Sequence, residues 1–230
     1  MTVALRMRWQ DLAFLHWQAP KATLRRLVPE PLELDTFGDV AWIGVTPFRM
    51  TGVRPLFAPP IPTASDFPEL NVRTYVRHRE RAGVYFFSLD AASKLAVVTA
   101  RTVTGLPYFH ARMHMRRIKG DVDYRSKRHN AGAAPAEFRA RYRPTGDVSP
   151  AKPGSLEHFL TERYSLFVER ATLLLRLDIG HAPWPLQPAT VDVELNTMAE
   201  SAGIQLPAEK PHVCFSRELD VEAHFPVPAD

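Results

Sequence analysis

The chain has 230 residues, 45% of them apolar and 23% charged, a composition that allows a substantial core and excludes a disordered chain. Its net charge is +4, but its arginine clusters lack any helix-turn-helix, zinc-finger or RNA-binding signature, so nucleic-acid binding is not expected. One cysteine, no signal-peptide pattern and no apolar run near the ~20 residues of a membrane span predict a single cytoplasmic domain over residues 1–230 without a disulfide.

Short apolar or alternating segments, bounded by turn residues, predict a sheet-rich domain. In chain order, strands are expected at residues 11–17, 40–48, 69–76, 84–90, 109–118, 124–128, 137–143, 173–177 and 212–217. Residues 191–198 fit either a strand or a helix. The 21 prolines keep most of these elements short. The expected fold class is therefore α+β and mostly β.

Three short helices are expected between the strands. The first begins at Pro20, the second runs from its N-cap Asp90 to Arg101, and the third covers residues 156–164. Residues 52–68 have no periodicity and predict a long loop over the sheet. Loops of that length in compact domains often act as lids or binding loops.

The strand at residues 69–76 has one polar face. A period of two places Glu69, Asn71, Arg73 and Tyr75 on that face. Such a row either faces solvent, as in many antiparallel sheets, or lines a polar cavity in a closed sheet. Aromatic residues on both faces of the hairpin partner indicate a strand that is covered on both sides. In the cavity alternative, Glu69 is a candidate general acid or base, and Arg73 is a candidate anchor for a carboxylate.

Few other residues suggest chemistry. Alternation over residues 111–116 makes His114 a candidate ligand contact or proton-transfer group, with an ordinary surface histidine as the alternative. His110 and His114 would lie ~13 Å apart on a strand, and there is no cysteine pair, so no metal site is expected. There is no dinucleotide or phosphate-binding glycine motif, so no cofactor is expected.

Several segments in combination resemble the bacterial YqjF-like family. They are residues 14–17, 69–76, 83–90, 100–101, 106–108, 156–164 and 181–185, so the resemblance covers nearly the whole chain. It implies kinship with the acetoacetate decarboxylase-like superfamily. The implied fold is a cone-shaped, closed antiparallel β-barrel with an internal pocket, which favours the cavity alternative for the polar face.

The resemblance also has a consequence for the reaction. Glu69 matches the pocket glutamate of the decarboxylases, in which a Gly-x-Pro motif precedes two lysines and one lysine forms a Schiff base with the keto acid. Here Gly105-Leu106-Pro107 is followed by Tyr108 and Phe109. Neither side chain can form an imine, so Schiff-base decarboxylation is not expected.

Two functions remain open at this point. One is a lysine-independent enzyme acting on a small, anionic organic substrate. Its general acid or base would be Glu69, its carboxylate anchors Arg73 and Arg101, and its hydrogen-bond donors Tyr75 and Tyr108. The other is a non-catalytic ligand-binding or sensing protein that keeps the barrel without the reactive amine. The sequence leaves the ligand and a homo-oligomeric state undetermined.

Overall fold

The computed structural model describes residues 2–60 and 64–229. The strands within these ranges are β1 (Val3–Ala19), β2 (Glu33–Leu34), β3 (Ala41–Pro55), β4 (Phe67–His78), β5 (Arg81–Ala91), β6 (Tyr108–Ile118), β7 (Asp121–Arg128), β8 (Glu137–Pro144), β9 (Ser165–Arg170), β10 (Leu173–Gly180), β11 (Leu186–Asn196), β12 (His212–His224) and β13 (Val227–Pro228). The helices are α1 (Lys21–Leu27), α2 (Lys94–Thr104) and α3 (Leu156–Thr161), with a 3₁₀ turn at Glu200–Ala202. No helix of the described chain has the length and apolar character needed to cross a membrane.

Nine of the strands close into a barrel. Their order is β5-β6-β7-β8-β11-β12-β1-β3-β4, and β4 pairs back with β5. Neighbours within the barrel are antiparallel except β5 and β6, which are parallel because helix α2 crosses between them. Strand β9 also pairs in parallel with β5, and its neighbour β10 reaches β12. The predicted closed barrel with few helices is confirmed, with a mixed rather than a purely antiparallel sheet.

Strand β4 is buried on both faces. On one face, Leu70 packs in a core with Tyr124 of β7, inside the barrel. On the other face, Tyr75 packs with Leu160 of α3 and Val168 of β9. The strand therefore forms a wall between two buried regions, because β9, β10 and α3 cover the face that points away from the barrel core.

Several strands are longer than the sequence pattern predicts, β1 and β3 among them. Strand β1 begins at Val3 rather than at Asp11. The prediction began at Asp11 because the alternation is interrupted there. Asp11 has a φ of +50° and lies within a shift in the register with β3. Strand β3 continues to Pro55, so it takes up the start of the loop predicted at residues 52–68. The predicted lid is limited to the shorter connection between β3 and β4. Residues 61–63 of that connection lie outside the described residues.

The predicted N-cap of the second helix is wrong. Helix α2 begins at Lys94, and the hydroxyl of Ser93 accepts the hydrogen bond from the Ala96 amide. Asp90 instead binds Arg128 through both carboxylate oxygens, at 2.8 and 2.7 Å, and its side chain is fully buried. The Asp90 carboxylate therefore pairs with an arginine that is distant in sequence and does not cap the helix.

Candidate functional site

The polar face of β4 is buried along its whole length. The exposed fractions are 2% for Glu69, 6% for Asn71, 8% for Arg73 and 0% for Tyr75. Burial of four polar side chains in a row excludes the solvent-facing alternative. Arg73 and Tyr75 both contact the Leu160 carbonyl of α3, and Glu69 contacts Tyr108 of β6.

Gly44 of β3 lies next to this row and leaves space for the side chains on either side of it. Gly44 of β3 pairs with Arg73 on one side and with His16 of β1 on the other. A Cβ atom at this position would lie 3.1 Å from the His16 ring and 3.5 Å from Arg73 Cγ. The missing side chain therefore allows His16 and Arg73 to approach each other across β3.

Glu69 has a phenol as its only side-chain hydrogen-bond partner among the described residues. The Tyr108 hydroxyl donates to Oε1 at 3.4 Å, and Oε2 has no partner. Burial raises the pKa of Glu69 to about 8, against the lowering effect of Tyr108 and with a further rise from nearby Asp90. Burial and the Glu69 carboxylate also raise the pKa of Tyr108 well above its usual value. Glu69 is therefore protonated at neutral pH and can exchange a proton slightly above it.

Arg73 is a buried cation without an ionic partner in the described part of the chain. Its Nη2 donates to the Leu160 carbonyl oxygen at 3.2 Å, and its Nε makes no hydrogen bond. The guanidinium carbon lies 5.3 Å from the centre of the Phe14 ring. A buried guanidinium with unused donor capacity is suited to a planar anion such as a carboxylate.

Tyr75 fixes the protonation of a neighbouring histidine. Its hydroxyl donates to the Leu160 carbonyl at 2.9 Å and lies 2.7 Å from His16 Nε2. Because the hydroxyl has a single proton, Nε2 of His16 must carry the hydrogen of that second contact. Burial and then Arg73 lower the pKa of His16 well below its usual value, so the ring is neutral.

Five polar atoms on the strands around this face are buried without a hydrogen-bond partner among the residues that the structure describes. They are Thr46 Oγ1, Glu69 Oε2, Asn71 Oδ1, Arg73 Nε and Ser216 Oγ. Thr46 lies opposite Asn71, and Ser216 lies opposite Leu12 of β1, two residues before Phe14. Buried polar atoms are nearly always paired with protein or water. Water or a small ligand at this face would find several unused hydrogen-bond partners.

Two predicted site residues lie elsewhere. Arg101 is exposed in the last turn of α2. His114 is also exposed and lines a surface cleft of about 410 Å³ with Arg125 and Arg139. Alternation on β6 turns Ala111 and Met113 inward, so His114 points outward. The structure therefore joins Glu69, Asn71, Arg73, Tyr75 and Tyr108 in one region without Arg101 or His114.

His16, Thr46 and Ser216 were not among the predicted site residues. His16 is 1% exposed and contacts Tyr75 directly. Its i, i+2 spacing from buried Phe14 is the only local signal that could have indicated burial. The strand register that sets Thr46 opposite Asn71 has no equivalent in the sequence of either strand alone.

Comparisons with known proteins agree with this architecture. Residues 6–220 match the model of the DUF2071 family, described as an uncharacterized conserved protein. YqjF of Bacillus subtilis (strain 168) is 44% identical over 217 residues, which cover 94% of this chain and 89% of YqjF. Acetoacetate decarboxylase from Legionella pneumophila has a TM-score of 0.67 at 12% identity, covering 99% of this chain and 87% of that one. The enduracididine biosynthesis enzyme MppR, complexed with pyruvate, has a TM-score of 0.67 at 11% identity, covering 100% and 92%.

Proposed function

The chain belongs to the DUF2071 family and has the acetoacetate decarboxylase-like fold, and on this premise we propose that it is a lysine-independent enzyme acting on a small organic acid. The observation that carries the proposal is the state of Glu69. The carboxyl group is buried, its pKa is raised to about 8, and it forms no ion pair with Arg73. A buried carboxyl group whose pKa is strongly raised by desolvation is typical of functional sites.

The ligand class follows from the cation and from the fold relatives. Arg73 supplies one buried positive charge with a free Nε donor. One fold relative is named an acetoacetate decarboxylase, and MppR was crystallised with pyruvate and with a condensation product of pyruvate. Both names refer to small oxo acids. We therefore propose that the ligand is a small oxo acid whose carboxylate binds Arg73.

Imine chemistry is not part of the proposal. Tyr108 and Phe109 occupy the positions that correspond to the lysine pair of the decarboxylases. The hydroxyl of Tyr108 donates to Glu69, and the ring of Phe109 lies 4.1 Å from the guanidinium carbon of Arg128. Lys94 is exposed at the start of α2. The chemistry therefore rests on proton transfer.

Enolisation is the proton transfer that best fits these groups. The Glu69 carboxylate would take a proton from the carbon next to the carbonyl, and the electrons of the broken C–H bond would form the enolate. Arg73 would hold the carboxylate, and the Glu69 proton would return to carbon or to the enolate oxygen. The ionised form of Glu69 starts the reaction, so its rate should rise with pH through about 8.

Deuterium exchange tests this step directly. We expect the protein to catalyse exchange of the methyl protons of pyruvate in D₂O, which proton NMR measures. Glu69→Gln should abolish this exchange, although pyruvate should still raise the melting temperature of the variant. Arg73→Met should lose the pyruvate-induced shift, and Arg112→Ala, which removes an exposed arginine, should change neither. Borohydride should trap no covalent adduct with pyruvate.

A non-catalytic binding or sensing protein is the second candidate, favoured by the two aromatic residues in place of the lysine pair. Saturable stabilisation by oxo acids, with no exchange above the buffer rate for pyruvate or 2-oxobutanoate, would favour this candidate over the enzyme. Failure of every oxo acid and hydroxy acid to stabilise the protein would contradict both functions.

A further inference from the structure

A second cleft lies outside the region around Glu69. Its volume is about 560 Å³, and it is formed by the start of α2, by β6, by the end of β7 and by the loop that leads to β8. Its lining residues are Lys94, His110, Arg128, His129, Asn130, Ala131, Ala133, Ala134 and Pro135. Four of these side chains can carry a positive charge, and none of them is acidic.

The uncompensated charge of this cleft comes from Lys94. Arg128 is neutralised by Asp90, at 2.8 and 2.7 Å, and its own side chain is only 4% exposed. Lys94 forms no ion pair with any described residue, and the first turn of α2 contains no acidic side chain. The cleft is therefore a site of uncompensated positive charge in a chain whose net charge is only +4.

Hydrogen bonds fix the frame that holds these side chains. The His110 amide donates to Asn130 Oδ1 at 2.5 Å, and the His129 amide donates to the His110 carbonyl at 2.8 Å. Arg128 Nη1 donates to the Ala134 carbonyl at 3.3 Å. The rings of His110 and His129 lie 6.2 Å apart, centre to centre, in an edge-to-face contact. The two rings therefore form a continuous part of the cleft wall.

Lys94 acts on the neighbouring histidine of the cleft. Burial lowers the pKa of His110, and the charge of Lys94 lowers it further. An anion beside Lys94 would offset the Lys94 contribution to that shift and could accept hydrogen bonds from Lys94 and from the exposed His129 ring. A phosphate group carries more negative charge than a carboxylate and presents three acceptor oxygens to these groups.

We propose that this cleft is a binding site for a phosphate group, either free or carried by a small phosphomonoester. The site stands apart from the proposed oxo-acid site, since none of its lining residues belongs to the Glu69, Arg73 and Tyr108 group. Binding to Lys94 and the exposed ring of His129 also leaves the buried Asp90–Arg128 ion pair intact. Its success or failure is therefore independent of the exchange reaction.

Inorganic phosphate and glycerol 3-phosphate are suitable probes, titrated into the full chain at constant ionic strength with histidine-ring NMR and calorimetry as the readouts. We expect saturable binding of one equivalent, with shifts of the His110 and His129 ring signals. Lys94→Ala and His129→Ala should each weaken binding about tenfold. Arg116→Ala, which removes an exposed arginine elsewhere on β6, should change it less than twofold.

Each arm has a defined reading. Binding of both probes identifies the phosphate group itself, and binding of glycerol 3-phosphate alone identifies a phosphorylated metabolite; both support the proposal. Unsaturable shifts, equal loss in Lys94→Ala and Arg116→Ala, or equal binding of acetate would overturn it. Because the Lys94 and His129 side chains are exposed, these variants should fold, which their melting temperatures would verify.

Discussion

Glu69 is a buried carboxyl group held by a phenol rather than by a cation. Its pKa is about 8 in the folded protein and near its ordinary value of 4.5 in the unfolded chain. Below pH 4.5 both states carry the proton, and the difference contributes nothing unfavourable to folding. Between these two pKa values the unfolded chain ionises first, so stability falls as the pH rises and stays reduced above pH 8.

We predict that Glu69→Gln removes this loss of stability. The free energy of unfolding of the unmodified protein should fall between pH 5 and pH 8.5 by a few kcal/mol more than that of the variant, at roughly 1.4 kcal/mol per pKa unit. Urea unfolding at both pH values measures the difference. Glu218→Gln, at an exposed position, is the matched control and should follow the unmodified protein. Equal pH dependence in all three proteins would contradict the assignment.

Gly44 determines whether His16 and Arg73 can lie side by side. Its φ is not in the left-handed region, so alanine brings no backbone strain, only a Cβ atom 3.1 Å from the His16 ring. We predict that Gly44→Ala destabilises the protein by about 1–3 kcal/mol and weakens oxo-acid binding by displacing His16 or Arg73.

Gly180→Ala is a matched control for that change. A Cβ atom at Gly180 of β10 would meet nothing closer than 4.0 Å, and its φ is also outside the left-handed region. Thermal unfolding and oxo-acid titration of both variants make the comparison. If Gly180→Ala costs as much stability and affinity as Gly44→Ala, crowding of His16 and Arg73 is not the cause.

At this scale, periodicity predicted which residues share a face but not which faces are enclosed. Glu69, Asn71, Arg73 and Tyr75 follow from a period of two in one strand. The burial of His16 depends on the β1–β3 register, which sets it opposite Gly44, 28 residues further along the chain. A strand pattern carries no information about the strand that it will pair with at such a distance.

At the scale of elements, one ion pair joins two barrel strands across the strand between them. Asp90 is the last residue but one of β5, Arg128 ends β7, and strand β6 runs between them. Both side chains are almost completely buried, so neither can exchange its partner for water. Removing one member of a buried pair leaves an uncompensated charge and is strongly destabilising.

We predict that Asp90→Ala lowers the free energy of unfolding by about 3–5 kcal/mol. The exposed pair between Arg8 and Asp220 is a control of the same chemistry, at 2.7 Å with the aspartate 75% exposed. Asp220→Ala should cost less than about 1 kcal/mol. Denaturant titration at neutral pH compares them. Losses of similar size would mean that burial does not make the Asp90–Arg128 pair more important for stability than the exposed pair.

The same aspartate illustrates a limit of reading elements from sequence. An aspartate shortly before a helical segment favours an N-cap, yet Asp90 binds an arginine 38 residues further along the chain. Ser93, which is closer to the helix, becomes the cap. Residues 191–196, which fitted a strand or a helix, belong to β11, where pairing with β8 decides between the two. Tertiary partners override local preference in both cases.

At the scale of the whole molecule, closure depends on pairings between distant segments. The β4–β5 hairpin is local and was predicted as such, whereas β12 joins β1, β11 and β10 from the far end of the chain. Alternation identifies strands but does not determine whether a sheet closes. The closed barrel could therefore be predicted only through the family resemblance, which the DUF2071 match and the relation to YqjF confirm.

Strand β12 is consequently the element on which both buried regions depend. It pairs with β1 along most of its length, completes the barrel through β11 at Leu186–Pro188 and meets β10 at Ile179.

We predict that a chain ending at Pro211 loses cooperative unfolding, because the barrel and the covered polar face both open. A chain ending at Phe225 loses only the two-residue strand β13 and should keep a cooperative transition with a modestly lower melting temperature. Circular dichroism during heating, with size-exclusion chromatography, distinguishes the two. Cooperative unfolding of the shorter chain would mean that the remaining strands close without β12, which the pairing pattern does not allow.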